Sequence, residues 1–137
     1  MKNKKFLPIV LVILVLMAAT LACEFGATTA NISDAHMSVD DADSAQTEVY
    51  APADAAFYCV FALNNAPDDT VVKGVWTLVE ADGYDPDQVI DEVEYTGGDD
   101  TLTFNLDRGD QEWPVGKYKI DLYINDELVQ TLNFEVQ

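Results

Sequence analysis

The pattern that most restricts the fold is an alternation of apolar and polar residues near the end of the sequence. In KYKIDLYI (117–124), a large apolar or aromatic side chain stands at every second position, which is the period of a β-strand with one buried face. Asn125 and Asp126 follow, and both residue types tolerate the left-handed backbone of a two-residue hairpin turn. ELVQTLNFEV (127–136) then returns apolar residues to one face. The segment predicts a β-hairpin whose apolar face packs against a second layer.

The rest of the chain repeats this strand-and-turn pattern and contains no amphipathic helical stretch of useful length. Apolar runs alternate with acidic turns such as NNAPDD, DGYDPD and TGGDD. The runs that predict strands lie at 32–39, 47–50, 55–63, 70–81, 88–95 and 101–106. Seven or eight short strands at this spacing are typical of an all-β protein, and we predict an antiparallel β-sandwich.

Within these strands, the chain resembles the immunoglobulin-like sandwiches of bacterial surface proteins. Cys59 and Trp76 stand on successive strands, and GKYKI at 116–120 places Tyr118 where that family has its tyrosine corner. Ile120 stands where the second cysteine of the family would be, so the resemblance implies an unpaired Cys59 in the core. The resemblance covers about residues 30–137 and implies the fold alone, because function depends on sites added to folds.

The N-terminal segment has the layout of an export signal. Three lysines within the first five residues precede an apolar run over 6–17 and then small residues. TLAC at 20–23 resembles the cleavage motif of bacterial lipoproteins, which implies removal of the signal before Cys23 and attachment of diacylglycerol to its thiol. Two alternatives stay open. An ordinary signal peptidase could leave Cys23 unmodified, and the apolar stretch approaches the length of an uncleaved membrane anchor.

These features divide the chain into a lipoprotein-type signal (1–22), a tether (23–31) and an immunoglobulin-like domain (32–137). We expect an extracytoplasmic protein, held at the cell membrane or outer surface by a lipid on Cys23. The competing interpretation is a disulfide between Cys23 and Cys59, the two cysteines of the sequence. An acylated Cys23 would leave Cys59 as a buried thiol that behaves as a small apolar residue.

The net charge of the chain restricts the classes of partner that it can bind. Without residues 1–22 the chain keeps 115 residues, and four basic side chains remain against 25 acidic ones, a formal charge of −21. Nucleic-acid recognition begins with a basic patch, so we expect no nucleic-acid partner. The same charge would repel anionic lipid head groups, and membrane attachment should therefore depend on the lipid. A solvated surface that favours solubility, or adaptation to high salt, would explain the acidity, and calcium binding is the more specific alternative.

The sequence offers little for catalysis. Its three serines, Ser33, Ser38 and Ser44, lie in the N-terminal part, and the single histidine is His36. On an extended strand His36 and Ser38 would point to the same face without converging on a site, whereas a triad requires three converging groups. We therefore predict no catalytic residues and interpret His36 as a solvated residue of an edge strand. Zinc would require clustered cysteine and histidine ligands, which one histidine cannot supply.

Calcium is the metal that the composition allows. The ion takes six to eight oxygen ligands, which acidic turns can supply. Three turns qualify, at 40–44, 82–87 and 97–100. Among them, Asp82, Asp85 and Asp87 are the candidate ligands of a weak site, although aspartate is common in turns for local reasons alone. We otherwise expect no cofactor.

Two features predict a binding surface. Trp113 precedes a strand in DQEWPVG, where it either caps the sandwich or is exposed to a glycan or protein partner. Two central runs are apolar on both faces, and their outer sets are Tyr58, Val60, Ala62, Val71, Val75 and Val79. This predicts a covered sheet, which a partner domain or a self-association surface would explain, with Tyr58 as the residue to test. We expect a non-enzymatic binding or structural module, with a calcium-dependent adhesion or carbohydrate-binding domain as the alternative.

Overall fold

A computed structural model describes residues 29–137. The predicted signal, Cys23 and the tether up to residue 28 lie outside the described residues. The described part contains eight β-strands: β1 (Asn31–Ser38), β2 (Val49–Tyr50), β3 (Ala56–Asn64), β4 (Val71–Ala81), β5 (Gln88–Thr96), β6 (Asp100–Asp107), β7 (Gly116–Ile124) and β8 (Glu127–Val136). Each coincides with a predicted strand to within two residues at either end. No helix in residues 29–137 could span a membrane.

The strands form two sheets. The smaller sheet has the order β1-β3-β6, and the larger one has the order β2-β8-β7-β4-β5. All neighbours are antiparallel except the short β2, which runs parallel to β8. The chain therefore changes sheet after β1, β2, β3, β5 and β6. The prediction of an immunoglobulin-like β-sandwich of seven or eight strands is confirmed.

The C-terminal hairpin has the predicted turn. Asn125 and Asp126 have φ values of 47° and 68°, which is the left-handed pair that a type I′ turn requires. Asn125 also joins the turn to β4, because its backbone N–H donates to the Val71 carbonyl at 2.8 Å. Its side-chain oxygen accepts from the Val71 N–H at 3.0 Å. The turn is thus tied to the start of the neighbouring strand.

The core fills the space between the inner faces of the two sheets. Cys59 of β3 is a free thiol with 0 % exposure, and burial raises its pKa to about 12. Trp76 and Ile120 are equally buried on the opposite sheet. The expectation of an unpaired Cys59 in the core is confirmed, and Trp76 is a core residue.

The sandwich has two ends that differ in their connections. At the near end, where β1 begins, three loops connect the strands, at 65–70, 97–99 and 125–126. At the far end, the four connections are longer on average, at 39–48, 51–55, 82–87 and 108–115. Most irregular backbone therefore lies at the far end, away from the point where the chain enters the domain.

Candidate functional site

Trp113 caps the core at the far end. Its ring stacks on Phe57 with centroids 3.9 Å apart and an interplanar angle of 20°. Its indole N–H donates to the Asp54 carbonyl at 2.8 Å, and its backbone N–H donates to the Pro52 carbonyl. Only 7 % of the residue is exposed, so Trp113 caps the sandwich end, and its part in a binding surface stays a prediction. Stacking on Phe57 and the bond to Asp54 draw the ring inward.

Two tyrosines also fasten far-end loops to the core. The Tyr118 hydroxyl donates to the Pro114 carbonyl at 2.6 Å, which is the bond expected of a tyrosine corner. Burial, with a smaller contribution from Tyr84, raises the pKa of Tyr118 to about 12. The Tyr50 hydroxyl donates to the Ser38 carbonyl at 2.6 Å. These bonds satisfy buried polar groups and hold loops 39–48 and 108–115 against the sandwich.

The acidic turn between β4 and β5 contains the three candidate calcium ligands. Asp82, Asp85 and Asp87 are all exposed in this turn, and Gly83 and Asp87 have left-handed backbone. Within residues 29–137, no group of three or more histidine, cysteine, aspartate or glutamate side chains is arranged to hold a metal ion. The three carboxylates are exposed and are not gathered around a common point, and calcium binding at this turn stays a prediction.

His36 lies on β1, which is the predicted edge strand, but the ring is engaged by hydrogen bonds. Its Nε2 lies 2.7 Å from Asp43 Oδ1, and its Nδ1 lies 2.6 Å from the Asp34 carbonyl oxygen. Burial acts to lower the pKa of His36, but these hydrogen bonds and the nearby carboxylates raise it by more. Ser38 bonds the Asp40 carbonyl with its hydroxyl. The side chains of His36 and Ser38 thus form hydrogen bonds with residues of the 39–48 loop, and they do not converge on one another.

The double apolarity of the central strands has an explanation within one chain. Val60 lies in the middle strand of its sheet and Val75 lies between β5 and β7, and their exposures are only 5 % and 8 %. On the same face as Val75, the Nζ of Lys73 lies 5.1 Å from the centroid of the Tyr123 ring. Tyr58 is half-buried on the outer face of the small sheet. A partner at Tyr58 stays a prediction.

A groove of about 380 Å³ opens at the far end beside the start of β5. Its lining is apolar and aromatic and includes Leu78, Tyr84, Val89, Ile90, Trp113 and Tyr118. Its volume lies in the lower part of the range for ligand pockets, roughly 300–1,000 Å³. Unlike the outer faces of the central strands, this surface leaves large apolar side chains in contact with solvent.

A β-bulge builds the outer wall of the groove. Trp76 pairs with Asp91 and Thr77 pairs with Val89, so Ile90 is an extra residue on the edge strand β5. Bulges at sheet edges redirect side chains and bend the strand. The sequence contained a signal for this feature, since the adjacent pair Val89 and Ile90 breaks the alternation of QVIDEVEY. The sequence interpretation missed it because strand prediction favours regular alternation.

Comparison with known proteins places the fold. No protein-family model and no curated protein sequence matches the chain. Among solved structures, an immunoglobulin-like protein from Pseudomonas aeruginosa is 16 % identical, with a TM-score of 0.52 over 78 % of this chain and 97 % of its own. The alkylpurine DNA glycosylase AlkC of Pseudomonas fluorescens, in a DNA complex, has a TM-score of 0.54 at 14 % identity. A β-glucosidase from Erythrobacter marinus also has a TM-score of 0.54, at 12 % identity.

The two enzymes share only one part of their structure with this protein. The match covers 80 % of this chain in both cases, but only 31 % of the glycosylase and 16 % of the glucosidase. Identities this low indicate a common fold alone. The match with the bacterial immunoglobulin-like protein spans nearly the whole of that protein. The described domain is therefore an immunoglobulin-like β-sandwich.

Proposed function

We propose that this protein is an exported lipoprotein whose immunoglobulin-like sandwich is a non-enzymatic binding module at the cell surface. The supporting observation is the separation of the two ends of the domain. The chain enters β1 at the near end, whereas the longer loops and the apolar groove lie at the far end. A module anchored through Cys23 would turn its groove away from the membrane.

The dimensions agree with this arrangement. A tether over 23–31 reaches at most about 30 Å when fully extended. The eight residues of β1 add about 26 Å between the near end and the far end. The formal charge of −21 in the mature chain would hold the domain off an anionic membrane. The groove would then be accessible to a partner in the surrounding space.

The two cysteines provide a matched test of the anchor. We expect a fatty-acid label supplied to cells to be incorporated into the wild-type protein and into Cys59→Ala, because Cys59 is buried with a strongly raised pKa. Cys23→Ser should lose the label and leave the membrane fraction. Mass spectrometry of the purified protein should show a diacylglycerol-modified fragment that begins at Cys23.

Three results would contradict the anchor. An intact N-terminus at Met1 would indicate an uncleaved membrane segment, and a mature chain with an unmodified Cys23 would indicate ordinary secretion. A label that persists in Cys23→Ser but disappears in Cys59→Ala would mean that the buried thiol is the modified residue. Each of these outcomes would reject lipidation at Cys23 without bearing on the fold.

A further inference from the structure

The far-end groove exposes several large apolar side chains next to one another. Val89 is 59 % exposed, and Tyr84 and Ile90 are also exposed beside it. These three side chains share one groove with the rings of Trp113 and Tyr118. Contiguous apolar surface of this kind marks interaction sites on soluble domains. The bonds from Trp113 and Tyr118 to neighbouring loops hold the groove in shape before any partner arrives.

The charge around the groove is almost entirely negative. The two loops that flank it, 82–87 and 108–115, contain one cation, Arg108, which donates to the Gln111 carbonyl at 3.3 Å. Their carboxylates are Asp82, Asp85, Asp87, Asp110 and Glu112, and all five are exposed. Asp91 and Glu92 follow the apolar pair on β5 and are also exposed. An apolar groove with an acidic border would favour an apolar ligand group with positive charge on either side.

We propose that this groove binds a basic segment of a partner protein, with a leucine or aromatic side chain inserted between flanking lysines or arginines. A second copy of the chain is the less favourable occupant, since it would bring a second acidic border against the first. The inference rests on the proposed binding role of the sandwich, but it does not depend on the lipid anchor. The basic flanks would increase the association rate, and the inserted side chain would slow dissociation.

Three short peptides separate the two parts of this proposal. The probe has Leu-Trp-Leu between pairs of lysines, one control has Gly-Ser-Gly between the same lysines, and the other has Leu-Trp-Leu between pairs of glutamates. The full-length protein is held in nanodiscs of zwitterionic lipid, so that the bilayer does not attract the lysines, and binding is measured by calorimetry. We expect the probe to bind at least about ten-fold more tightly than either control.

Substitutions at two exposed aliphatic residues, one inside the groove and one outside it, test where the probe peptide binds. Val89→Ser should weaken binding of the probe about ten-fold, because a buried apolar contact is lost. Leu128→Ser is the matched control, since Leu128 is 52 % exposed but lies on β8 beside the near-end hairpin turn. It should leave binding unchanged. Tyr84→Ala gives a second test on a loop, where the side chain is 52 % exposed, and it should also weaken binding of the probe.

Several results would overturn the proposal. Equal binding of the probe and the Gly-Ser-Gly peptide would indicate general attraction of lysines to an acidic domain. Equal binding of the probe and the glutamate peptide would show that the basic flanks do not contribute to binding. Equal losses in Val89→Ser and Leu128→Ser would place the contact elsewhere. Self-association that Val89→Ser abolishes would identify a second copy as the occupant. A failure of lipid labelling at Cys23 leaves all these measurements interpretable, so the two proposals can fail separately.

Discussion

The near and far ends of the sandwich are built from different side chains. Around Phe57, the far half of the core contains a cluster of rings: Tyr50, Trp76, Trp113, Tyr118 and Phe134, with centroids 3.9–6.3 Å from that of Phe57. Among residues 29–137, Phe61, four residues along the same strand, has one ring partner, Phe104 at 5.1 Å. The near half is otherwise filled with aliphatic side chains such as Leu63, Val72 and Ile124.

This difference corresponds to the difference in the loops. Short turns such as Asn125-Asp126 close the near end with backbone and local side-chain bonds. At the far end, Tyr50, Trp113 and Tyr118 each bury a ring and donate a hydrogen bond to a backbone carbonyl, of a loop residue for Trp113 and Tyr118 and of the last residue of β1 for Tyr50. Aromatic residues with one polar atom can stabilise a core and position a loop at the same time. The far end can therefore carry long connections that still present a defined groove.

The largest expected effect tests the two halves of the core directly. Phe57→Ala and Phe61→Ala remove the same side chain from one strand, and both residues are essentially fully buried. Each should lower the free energy of unfolding by about 3–5 kcal/mol. We expect the Phe57 variant to lose about 1–2 kcal/mol more, because it has five ring partners instead of one. Denaturant unfolding of the full-length protein measures both, and equal losses would show that ring contacts add nothing beyond burial.

A smaller effect is expected for the bonds that fasten the loops. Tyr118→Phe keeps the ring but leaves the Pro114 carbonyl without its 2.6 Å donor, which should cost about 1–2 kcal/mol of unfolding free energy. Tyr123→Phe is the control on the same strand, since Tyr123 faces outward beside Lys73. It should change stability very little. If both variants unfold at the same denaturant concentration, the tyrosine corner does not stabilise the far end.

The hydrogen bond between His36 and Asp43 predicts a weak pH dependence. The folded-state pKa of His36 is raised. The contribution of this histidine to the free energy of unfolding should therefore be fully present below about pH 6.5, the ordinary pKa of histidine, and be lost as the pH rises through the pKa of the folded state. For a partly exposed pair the contribution should be below about 1 kcal/mol. NMR titration of the single histidine should give a lower pKa in Asp43→Asn than in the wild type. An unchanged pKa of His36 in Asp43→Asn would show that Asp43 does not raise this pKa.

The sequence predicted local features well and non-local ones poorly. Strand positions and the Asn125-Asp126 turn follow from alternation and turn chemistry, which act over a few residues. The position of Trp113 depends on a bond to Asp54, 59 residues away, and no short-range pattern encodes it. The low exposure of Val60 and Val75 depends on which strands lie in the middle of each sheet. The groove depends on a bulge at Ile90, which appears only when β5 is aligned with β4.

The smallest expected effect concerns calcium at the far end. Because Asp82, Asp85 and Asp87 do not converge, thermal melts of the full-length protein in millimolar calcium and in EDTA should coincide at matched high ionic strength. High salt is required because divalent cations would otherwise screen the negative charge of the domain. A ligand at about a hundred times its dissociation constant would add roughly 2.7 kcal/mol, a shift of several degrees. A shift of that size with calcium and not with magnesium would mean that the turn rearranges to bind the ion. The acidic border of the groove would then be partly neutralised, and its attraction for a basic segment would weaken as calcium rises.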